Sequence, residues 1–310
     1  METSPIPVLH GHKPMHLLGV IGHPIAHSLS PRMHNAALRH HGINAVYLAF
    51  DVLPEHLLVT VEAMRVLGLR GLNVTVPHKV AVLPLLDEVE SVAARVGAVN
   101  TIVRRGERLL GYNTDVVGFR LALRAIMPEG ATGLPCLVLG AGGAARAVVA
   151  GLVEEGAAQV GIFNRTLERA TLLAEAAASW GSTRCLVVDA GDLLEVARSA
   201  DVIVNATSVG MHGTFKETPL PVDILDSHHV VLDVVYGGEP TALVAGAQAR
   251  GARAADGREM LIRQAAAAYE LWFTRPAPLA VMRRAVEQAE RRGPVDAGRA
   301  RGKAGAQASR

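Results

Sequence analysis

The segment GLNVTVPHK, residues 71–79, sets polar side chains and a lysine at the end of an apolar run. Valines alternate with Asn73 and Thr75, and this period of two predicts a half-buried strand over GLNVTV. Pro77 lacks the N–H that a sheet requires, so the strand should end there, just before Lys79. Amides and hydroxyls bind polar groups without adding charge, and a lysine can transfer protons. For an isolated strand, a solvated face with a surface lysine is the simpler interpretation.

A second candidate site is the glycine-rich segment LVLGAGGAARA, residues 137–147. It follows a strand pattern and opens a helix, which is the context that the dinucleotide-binding fingerprint requires. Gly140 supplies the tight turn, Gly142 lets the backbone approach a pyrophosphate, and Ala145 permits close helix packing. The helix N-terminus offers free N–H groups to phosphates. The segment therefore predicts a dinucleotide site rather than a turn without a ligand.

The end of the next predicted strand distinguishes NAD from NADP. An NAD site usually carries Asp or Glu there, about 20 residues after the first glycine, to bind the ribose 2′-hydroxyl. Here Asn164 replaces the carboxylate, and Arg165 and Arg169 follow. Guanidinium groups bind phosphate through paired N–H donors. Because cations are unfavourable at a helix N-terminus, two merely solvated arginines are a weaker explanation. These residues predict NADP(H).

The elements that must position these residues alternate between strand and helix patterns along most of the chain. This alternation predicts an α/β fold with largely parallel sheets. The segment 128–135 is rich in Gly and Pro and marks the start of a second, dinucleotide-type unit. Ser30 and Pro31 suit the N-cap and first turn of the first long helix. A long helix that begins near Gly257 is expected to return to the first domain.

The composition excludes a globally disordered chain. Half of the 310 residues are hydrophobic and 19% are charged, so a sizeable core is available. The net charge of +2 gives no indication of a nucleic-acid partner, and the segment 293–310 contributes four basic residues against one acidic residue. That Gly/Ala/Arg-rich tail is expected to be disordered, and residues 1–15 are expected to be flexible.

The cysteines and apolar segments favour a cytoplasmic protein. Cys136 and Cys185 provide no disulfide framework and fit a reducing compartment. The N-terminus lacks the apolar run of a signal peptide. The segment 136–153 is the nearest to a membrane span, but Arg146 and four glycines interrupt it, so a buried strand and helix explain it better. We expect no membrane partner and a monomer or homodimer.

Several further segments resemble shikimate dehydrogenases, in that family's order along the chain. SLSPRMHN resembles the family signature S-x-S-P-x-x-H-N, and NVTVPHK resembles N-V-T-x-P-x-K. The other matching segments are AVNT, GYNTD, NATSVGM, DVVY and DGREMLIRQ. The likeness extends over roughly residues 16–290 and excludes the tail.

The resemblance implies a two-domain enzyme that reduces 3-dehydroshikimate to shikimate with NADPH, in the biosynthesis of chorismate and aromatic amino acids. It implies an N-terminal α/β substrate domain, residues 16–115 with about 257–290. It also implies a Rossmann-type NADP-binding domain, residues 116–256. Lys79 would be the general acid/base, beside Asp115, and no metal is needed.

The resemblance also implies two sets of binding residues. Those for the substrate are polar, with the two serines binding its carboxylate: Ser28, Ser30, Asn73, Thr75, Lys79, Asn100, Asp115, Tyr236 and Gln264. Those for the cofactor lie in the glycine turn and at later strand ends: Gly140, Ala141, Gly142, Gly143, Ala144, Asn164, Arg165, Thr166, Arg169, Thr207, Val234 and Gly257.

The implied reaction explains why a lysine and a carboxylate would stand together. Hydride transfer to a ketone creates an alkoxide that needs a proton donor within about 3 Å. A lysine ammonium is protonated at neutral pH, and Asp115 would favour that form. Shikimate oxidation would need the neutral amine and should improve at alkaline pH. Local sequence gives Asp115 a second role, as N-cap of a helix starting at Val116. His78 is interpreted as filling the strand end rather than tuning Lys79.

Two alternatives stay open. A quinate/shikimate dehydrogenase using NAD would differ by a few atoms of the pocket, although Arg165 and the missing carboxylate disfavour it. A sensor that binds shikimate without catalysis would need neither Lys79 nor a usable glycine turn, and this chain has both.

Overall fold

The computed structural model describes residues 15–211, 216–237 and 239–291. The predicted disordered tail, and the predicted flexible N-terminus apart from Met15, lie outside these residues. No helix in the described ranges is both long enough and apolar enough to cross a membrane.

Strands and α-helices alternate along the described chain. The strands are β1 His16–Gly22, β2 Ala45–Asp51, β3 Gly71–Val74, β4 Glu88–Val89, β5 Thr101–Arg105, β6 Arg108–Tyr112, β7 Pro135–Leu139, β8 Gln159–Phe163, β9 Arg184–Val187, β10 Val202–Asn205, β11 Val230–Asp233 and β12 Arg253–Ala255. The helices are α1 Ser30–His40, α2 Leu57–Val66, α3 Ser91–Val96, α4 Asp115–Ile126, α5 Gly143–Glu154, α6 Leu167–Ala177, α7 Leu193–Ser199, α8 Ala242–Gln248, α9 Arg258–Phe273 and α10 Leu279–Arg291.

The first sheet belongs to an N-terminal domain and has the order β2-β1-β3-β5-β6-β4. β1 is parallel to β2 and β3, whereas β5 pairs antiparallel with both β3 and β6. Hydrophobic clusters cover both faces: α1, α9 and α10 pack on one, and α2 and α3 on the other. β3 is central and all four of its residues are buried. The predicted half-buried strand is therefore wrong: β3 ends at Val74, and Val76 is 64% exposed.

The second sheet is entirely parallel and has the order β12-β11-β10-β7-β8-β9. Counted from β7, the strands follow the 3-2-1-4-5-6 arrangement of a Rossmann-type domain. The strand order reverses between β7 and β10, and the glycine turn after β7 lies at this switch point. The prediction of a second, dinucleotide-type α/β unit is confirmed.

The helix α9 returns to the first sheet, as predicted. Trp272 near its end donates from Nε1 to the carbonyl oxygen of Ile102 in β5 at 3.0 Å. Gly71 makes room for this indole, because a Cβ there would lie 2.0 Å from Trp272 Nε1. The chain thus crosses from the first sheet to the second at α4 and comes back through α9.

Candidate active site

Lys79 and Asp115, which follow β3 and β6, form an ion pair. Lys79 Nζ donates to Asp115 Oδ2 at 2.6 Å. Both side chains are largely buried, with exposed fractions of 13% and 7%. Lys79 is held at its backbone as well, since its carbonyl oxygen accepts from Val99 N–H at 2.8 Å. The pairing expected from the sequence is present in the structure.

Asp115 is the first residue of α4, and its carboxylate does not cap the helix. Thr114 is the N-cap residue, and the side chain before it binds the first N–H groups: Asn113 Oδ1 accepts from the N–H groups of Asp115 and Val116 at 3.1 and 3.3 Å. The N-cap role that local sequence offered for Asp115 is therefore wrong. Its second oxygen, Oδ1, accepts from Asn100 Nδ2 at 2.8 Å. Both carboxylate oxygens are thus oriented by side chains of the site.

Asn100 connects this pair to the rest of the N-terminal domain. Its Oδ1 accepts from Thr114 N–H at 2.7 Å, and its carbonyl oxygen accepts from Asn73 Nδ2 at 3.2 Å. Asn73 Nδ2 also donates to Thr101 Oγ1 at 3.0 Å. Tyr47 in β2 donates from its hydroxyl to Asn73 Oδ1 at 2.6 Å. These buried groups form one continuous network from β2 to α4.

The serines of the SLSPRMHN segment lie at the start of α1. The helix begins at Ser30 with Leu29 as its N-cap and no side-chain cap, so the predicted N-cap role of Ser30 is wrong. Ser28 Oγ accepts from Ser30 N–H at 3.3 Å instead. Burial raises the pKa of Tyr47 well above its usual value, and a hydrogen bond with Ser30 acts against that shift. Ser30 is thereby adjacent to the hydroxyl that also binds Asn73.

Gln264 approaches the same network, whereas Thr75 packs at the end of β1. The Oε1 atom of Gln264, on α9, lies 3.5 Å from Asn100 Nδ2. Gly118 allows this approach, since a Cβ there would be 2.8 Å from the Gln264 Cβ. Thr75 packs over Gly22, where a Cβ would be 2.4 Å from Thr75 Cγ2.

Tyr236 stands apart from this network. No hydrogen bond joins it to the other predicted substrate residues within the described ranges. Burial, followed by the charge of Glu290, raises the pKa of the Tyr236 phenol to about 12. Its predicted place in the pocket stays a prediction.

The glycine turn after β7 is shaped by missing side chains. Gly140 has a φ of +111°, and a Cβ there would be 2.8 Å from the carbonyl oxygen of Ala206. Gly142 has no heavy atom within 4 Å of a Cβ position, which leaves open space in front of the backbone. Ala141 and Ala144 flank it, and Gly143 begins α5. The free N–H groups of that helix therefore border an open cradle, which fits a pyrophosphate.

The residues predicted to meet the remainder of the cofactor lie at neighbouring strand ends. Asn164 follows β8 and donates from Nδ2 to the carbonyl oxygen of Thr166 at 2.8 Å. Arg165 and Arg169 are exposed, and neither forms an ion pair in the described part of the chain. Two guanidinium groups without carboxylate partners fit a 2′-phosphate.

Thr207 lies beside the glycine turn, where a Cβ at Gly140 would be 3.3 Å from its Cγ2, and Val234 and Gly257 follow β11 and β12. Asn205 Oδ1 accepts from both the N–H and the hydroxyl of Thr207, at 3.0 and 2.7 Å. A Cβ at Gly257 would be 2.1 Å from the carbonyl oxygen of Val234. Glycine at 257 is thus required for close packing against the residue that follows β11.

The two candidate sites face one another. A Cβ at Gly143 would lie 3.2 Å from Lys79 Cδ. The catalytic candidate of the N-terminal domain therefore passes directly beside the glycine turn of the Rossmann-type domain. His78 turns away, since its Nε2 hydrogen-bonds the carbonyl oxygen of Val52 at 2.7 Å, which agrees with a filling role.

Two other features do not contribute to this site. Asp226, His228 and His229 lie close enough to suggest a metal site. However, His229 Nδ1 accepts from the N–H of Asp226 and its Nε2 faces the carbonyl oxygen of Ala197, so neither ring nitrogen is free. A cavity of about 440 Å³ behind the start of α4 is lined by three glutamates that already have hydrogen-bond or ion-pair partners.

A parallel Rossmann-type domain facing a buried lysine–aspartate pair defines a class, the two-domain nicotinamide-dependent dehydrogenases. Family models match three parts of the chain. They describe a shikimate dehydrogenase substrate binding domain at residues 20–102, shikimate / quinate 5-dehydrogenase at 124–214, and a shikimate 5′-dehydrogenase C-terminal domain at 257–287. The chain belongs to the shikimate dehydrogenase family.

Individual relatives agree with this assignment. The NADP(+) shikimate dehydrogenase of Moorella thermoacetica is 48% identical over 88% of this chain and 93% of its own. A Thermus thermophilus shikimate 5-dehydrogenase solved with NADP(H) and shikimate is 39% identical, with a TM-score of 0.79 over 88% of this chain and 99% of its own. A Corynebacterium glutamicum quinate dehydrogenase solved with NAD is 35% identical, with a TM-score of 0.82 over 89% and 99%.

Proposed function

We propose that this protein catalyses the reversible NADPH-dependent reduction of 3-dehydroshikimate to shikimate, a step toward chorismate and aromatic amino acids. The observation that carries the proposal is the Lys79–Asp115 pair, at 2.6 Å, directly beside the glycine turn. We further propose a substrate domain of residues 16–115 with about 257–290, and an NADP-binding domain of residues 116–256.

The cofactor would be held by the open backbone at Gly142, the N-terminus of α5 and the guanidinium groups of Arg165 and Arg169. When bound, NADPH supplies the hydride. The absence of a carboxylate after β8 supports the 2′-phosphate over a free 2′-hydroxyl, because an Asp or Glu there would repel the phosphate.

Lys79 transfers the proton. Its ammonium group donates to the oxygen of the substrate carbonyl as that oxygen gains negative charge. Asp115 holds Nζ in place, since its Oδ2 accepts from Nζ at 2.6 Å. Asn100 in turn holds the second oxygen of Asp115, at 2.8 Å. In the oxidative direction Lys79 accepts the proton that the substrate hydroxyl loses.

The substrate hydroxyls would be bound by neutral polar groups. Amides and hydroxyls both donate and accept, so Asn73, Thr75, Asn100 and Gln264 can match a ring bearing several hydroxyls without introducing charge. A pocket of this kind rejects an analogue lacking a hydroxyl by about 10⁴-fold, because its own groups then stay unpaired. Ser28 and Ser30, at the start of α1, would bind the carboxylate, with Tyr236 lining the pocket.

The experiment that tests this function is an assay of the purified protein with shikimate or quinate, each with NADP or NAD. Preferential oxidation of shikimate with NADP supports the proposal. Faster turnover of quinate with NAD would favour a quinate dehydrogenase, which one structural relative is named as. Shikimate binding by calorimetry without any coenzyme reduction would favour a non-catalytic sensor.

We also infer a cytoplasmic protein that is a monomer or homodimer. Cys136 and Cys185 are free thiols, as expected in a reducing compartment. Sedimentation of the purified chain would separate the two oligomeric states.

A further inference from the structure

Gly143 is a glycine that the dinucleotide fingerprint does not require. The fingerprint uses Gly140 for the turn, Gly142 for close approach and Ala145 for packing. Gly143 is the first residue of α5, and its φ is not positive. Glycine in a helix is less favourable than alanine by up to about 1 kcal/mol. Backbone conformation therefore gives no reason for a glycine here.

The reason lies across the domain boundary, in the side chain of Lys79. A Cβ at Gly143 would lie 3.2 Å from Lys79 Cδ, 3.3 Å from its Cβ and 3.7 Å from its Cγ. A Cβ at Gly142, by contrast, would have no heavy atom within 4 Å. Lys79 cannot yield freely, because its Cβ is close to the main chain and its carbonyl oxygen is bonded to Val99 N–H.

Arg146 fixes how closely this turn of α5 approaches the N-terminal domain. It lies three residues after Gly143, on the same face of the helix. Its Nη1 donates to the carbonyl oxygen of Val96, the last residue of α3, at 3.1 Å. A cation is favourable at a helix C-terminus. Glu154, at the far end of α5, also pairs with Arg95 of α3.

The segment that receives Arg146 also holds Lys79. Val96 and Val99 lie three residues apart; Arg146 binds the carbonyl of the first, and the N–H of the second binds the backbone of Lys79. The same short stretch of chain therefore binds both the first turn of α5 and the backbone of Lys79.

We propose that Gly143 is a positioning residue for Lys79: its missing side chain leaves the space through which the lysine reaches Asp115, and Arg146 sets the width of that space. This inference rests on the proposed function for the role of Lys79 in catalysis, though not for its position. The turn that would bind the cofactor phosphates thus also forms one wall around the proton donor.

The test compares Gly143→Ala with Gly142→Ala in the full chain. For Gly143→Ala we expect turnover of shikimate to fall on the order of 10- to 100-fold, since small displacements of reacting groups have effects of this size. The KM for NADP should change by less than about threefold. Gly142→Ala should have the opposite effects: the KM for NADP should rise, and turnover should fall less than in Gly143→Ala. The melting temperature of Gly143→Ala should be equal to or above that of the wild type.

A second measurement makes the position of Lys79 visible without any activity. The chain has four lysines, of which Lys216 is exposed and serves as an internal reference. Labelling with an amine-reactive acylating reagent, read by peptide mass spectrometry, should be slow at Lys79 in the wild type. It should rise severalfold relative to Lys216 in Gly143→Ala, as it should in Asp115→Asn. Arg146→Met should shift Lys79 labelling in the same direction by less.

The outcomes separate the two proposals. Raised Lys79 labelling in Gly143→Ala together with reduced turnover supports both. Raised labelling in a protein whose wild type does not oxidise shikimate supports the positioning role and overturns the proposed function. Unchanged Lys79 labelling in Gly143→Ala would overturn the positioning role, whatever the turnover of the variant or of the wild type.

Discussion

In the N-terminal domain the polar side chains of the site are buried and already hydrogen-bonded to one another, whereas the site in the Rossmann-type domain is shaped mainly by positions without side chains. Tyr47, Asn73, Asn100 and Asp115 form one connected set. Across the cleft, Gly140 and its neighbours provide bare backbone. The charged groups there, Arg165 and Arg169, are exposed and have no ion-pair partner within the described residues.

This difference follows from what each side has to bind. A small ring with several hydroxyls is recognised by the directions of individual donors and acceptors, so those side chains need to be held in advance. A pyrophosphate is recognised by backbone N–H groups at a helix N-terminus, which needs close approach rather than side chains. Substitutions should therefore alter geometry and stability together in the first domain. In the second they should alter cofactor affinity alone, except at Gly143, which contacts Lys79.

The largest expected effect is at the junction of the two sides. Lys79→Ala removes the proton donor, so turnover of shikimate should fall on the order of 10²–10⁴-fold. The apparent affinity for shikimate should change little, because the amides and hydroxyls of the pocket remain. Steady-state kinetics with NADP measure both quantities, and Lys216→Ala, at an exposed position, controls for loss of a lysine as such. Near-normal turnover of Lys79→Ala would remove this residue from the mechanism.

On the cofactor side the effect should be confined to one coenzyme. Arg165→Ala removes a guanidinium from the 2′-phosphate, and hydrogen bonds to charged groups contribute about 1.5–3 kcal/mol. The KM for NADP should rise about 10- to 100-fold, while kinetics with NAD should stay within about twofold.

Thermal unfolding of the Arg165→Ala variant should match the wild type, because the side chain is exposed. An equal rise in KM for both coenzymes would show that Arg165 does not bind the 2′-phosphate. It would also contradict the proposal that this domain recognises NADP through its exposed arginines.

The two sides also differed in how far the sequence could predict them. The glycine turn, its strand and its helix were placed correctly, because a local motif with few side chains leaves a clear pattern. The family resemblance and both domains' fold class are confirmed. The strand around Asn73 was predicted as half-buried, yet β3 is buried on both faces. Alternation of valine with asparagine cannot reveal that buried amides have partners on other strands.

Residues that act through others were missed for the same reason. Tyr47 stands in the apolar run of β2 and looks like a core residue until its hydroxyl is seen on Asn73. Asn113 was overlooked as the side chain that binds the first N–H groups of α4 because Asp115, two residues later, is an equally good capping type. Choosing between them requires knowing that Lys79 arrives at Asp115 from 36 residues away in the chain. The roles assigned to individual site residues stay predictions.

The dependence of stability on pH should report the packing of His34 behind Tyr47, which supports the substrate site. His34 is 1% exposed and stacks on Tyr47 with ring centroids 4.3 Å apart. Burial lowers its pKa from 6.5 to about 3. The unfolded chain therefore binds a proton below about pH 6.5 that the folded chain refuses until about pH 3, so stability is lost as the pH falls through this window.

At pH 5 this loss should reach about 2 kcal/mol relative to pH 7.5. Urea unfolding of the wild type and of His34→Gln at the two pH values measures it, because all other titrating groups are common to both proteins. The wild type should lose more stability on acidification than the variant. Parallel losses would show that His34 is protonated in the folded state and that the packing behind Tyr47 is looser than in this structure.

The smallest and most specific effect is expected from the Tyr47 hydroxyl. Tyr47→Phe keeps the ring that packs against His34 but leaves Asn73 Oδ1 without its donor at 2.6 Å. One hydrogen bond of this kind contributes about 1 kcal/mol, so the KM for shikimate should rise about fivefold with turnover less affected. Tyr269→Phe is the matched control: this tyrosine is equally buried, and its hydroxyl contacts His41 rather than the site. Both variants should lose similar stability, but only Tyr47→Phe should weaken shikimate binding, because only that hydroxyl orients a side chain of the proposed substrate site. An equal rise in KM for the two variants would mean that general stability of the domain, rather than the orientation of Asn73, determines substrate affinity.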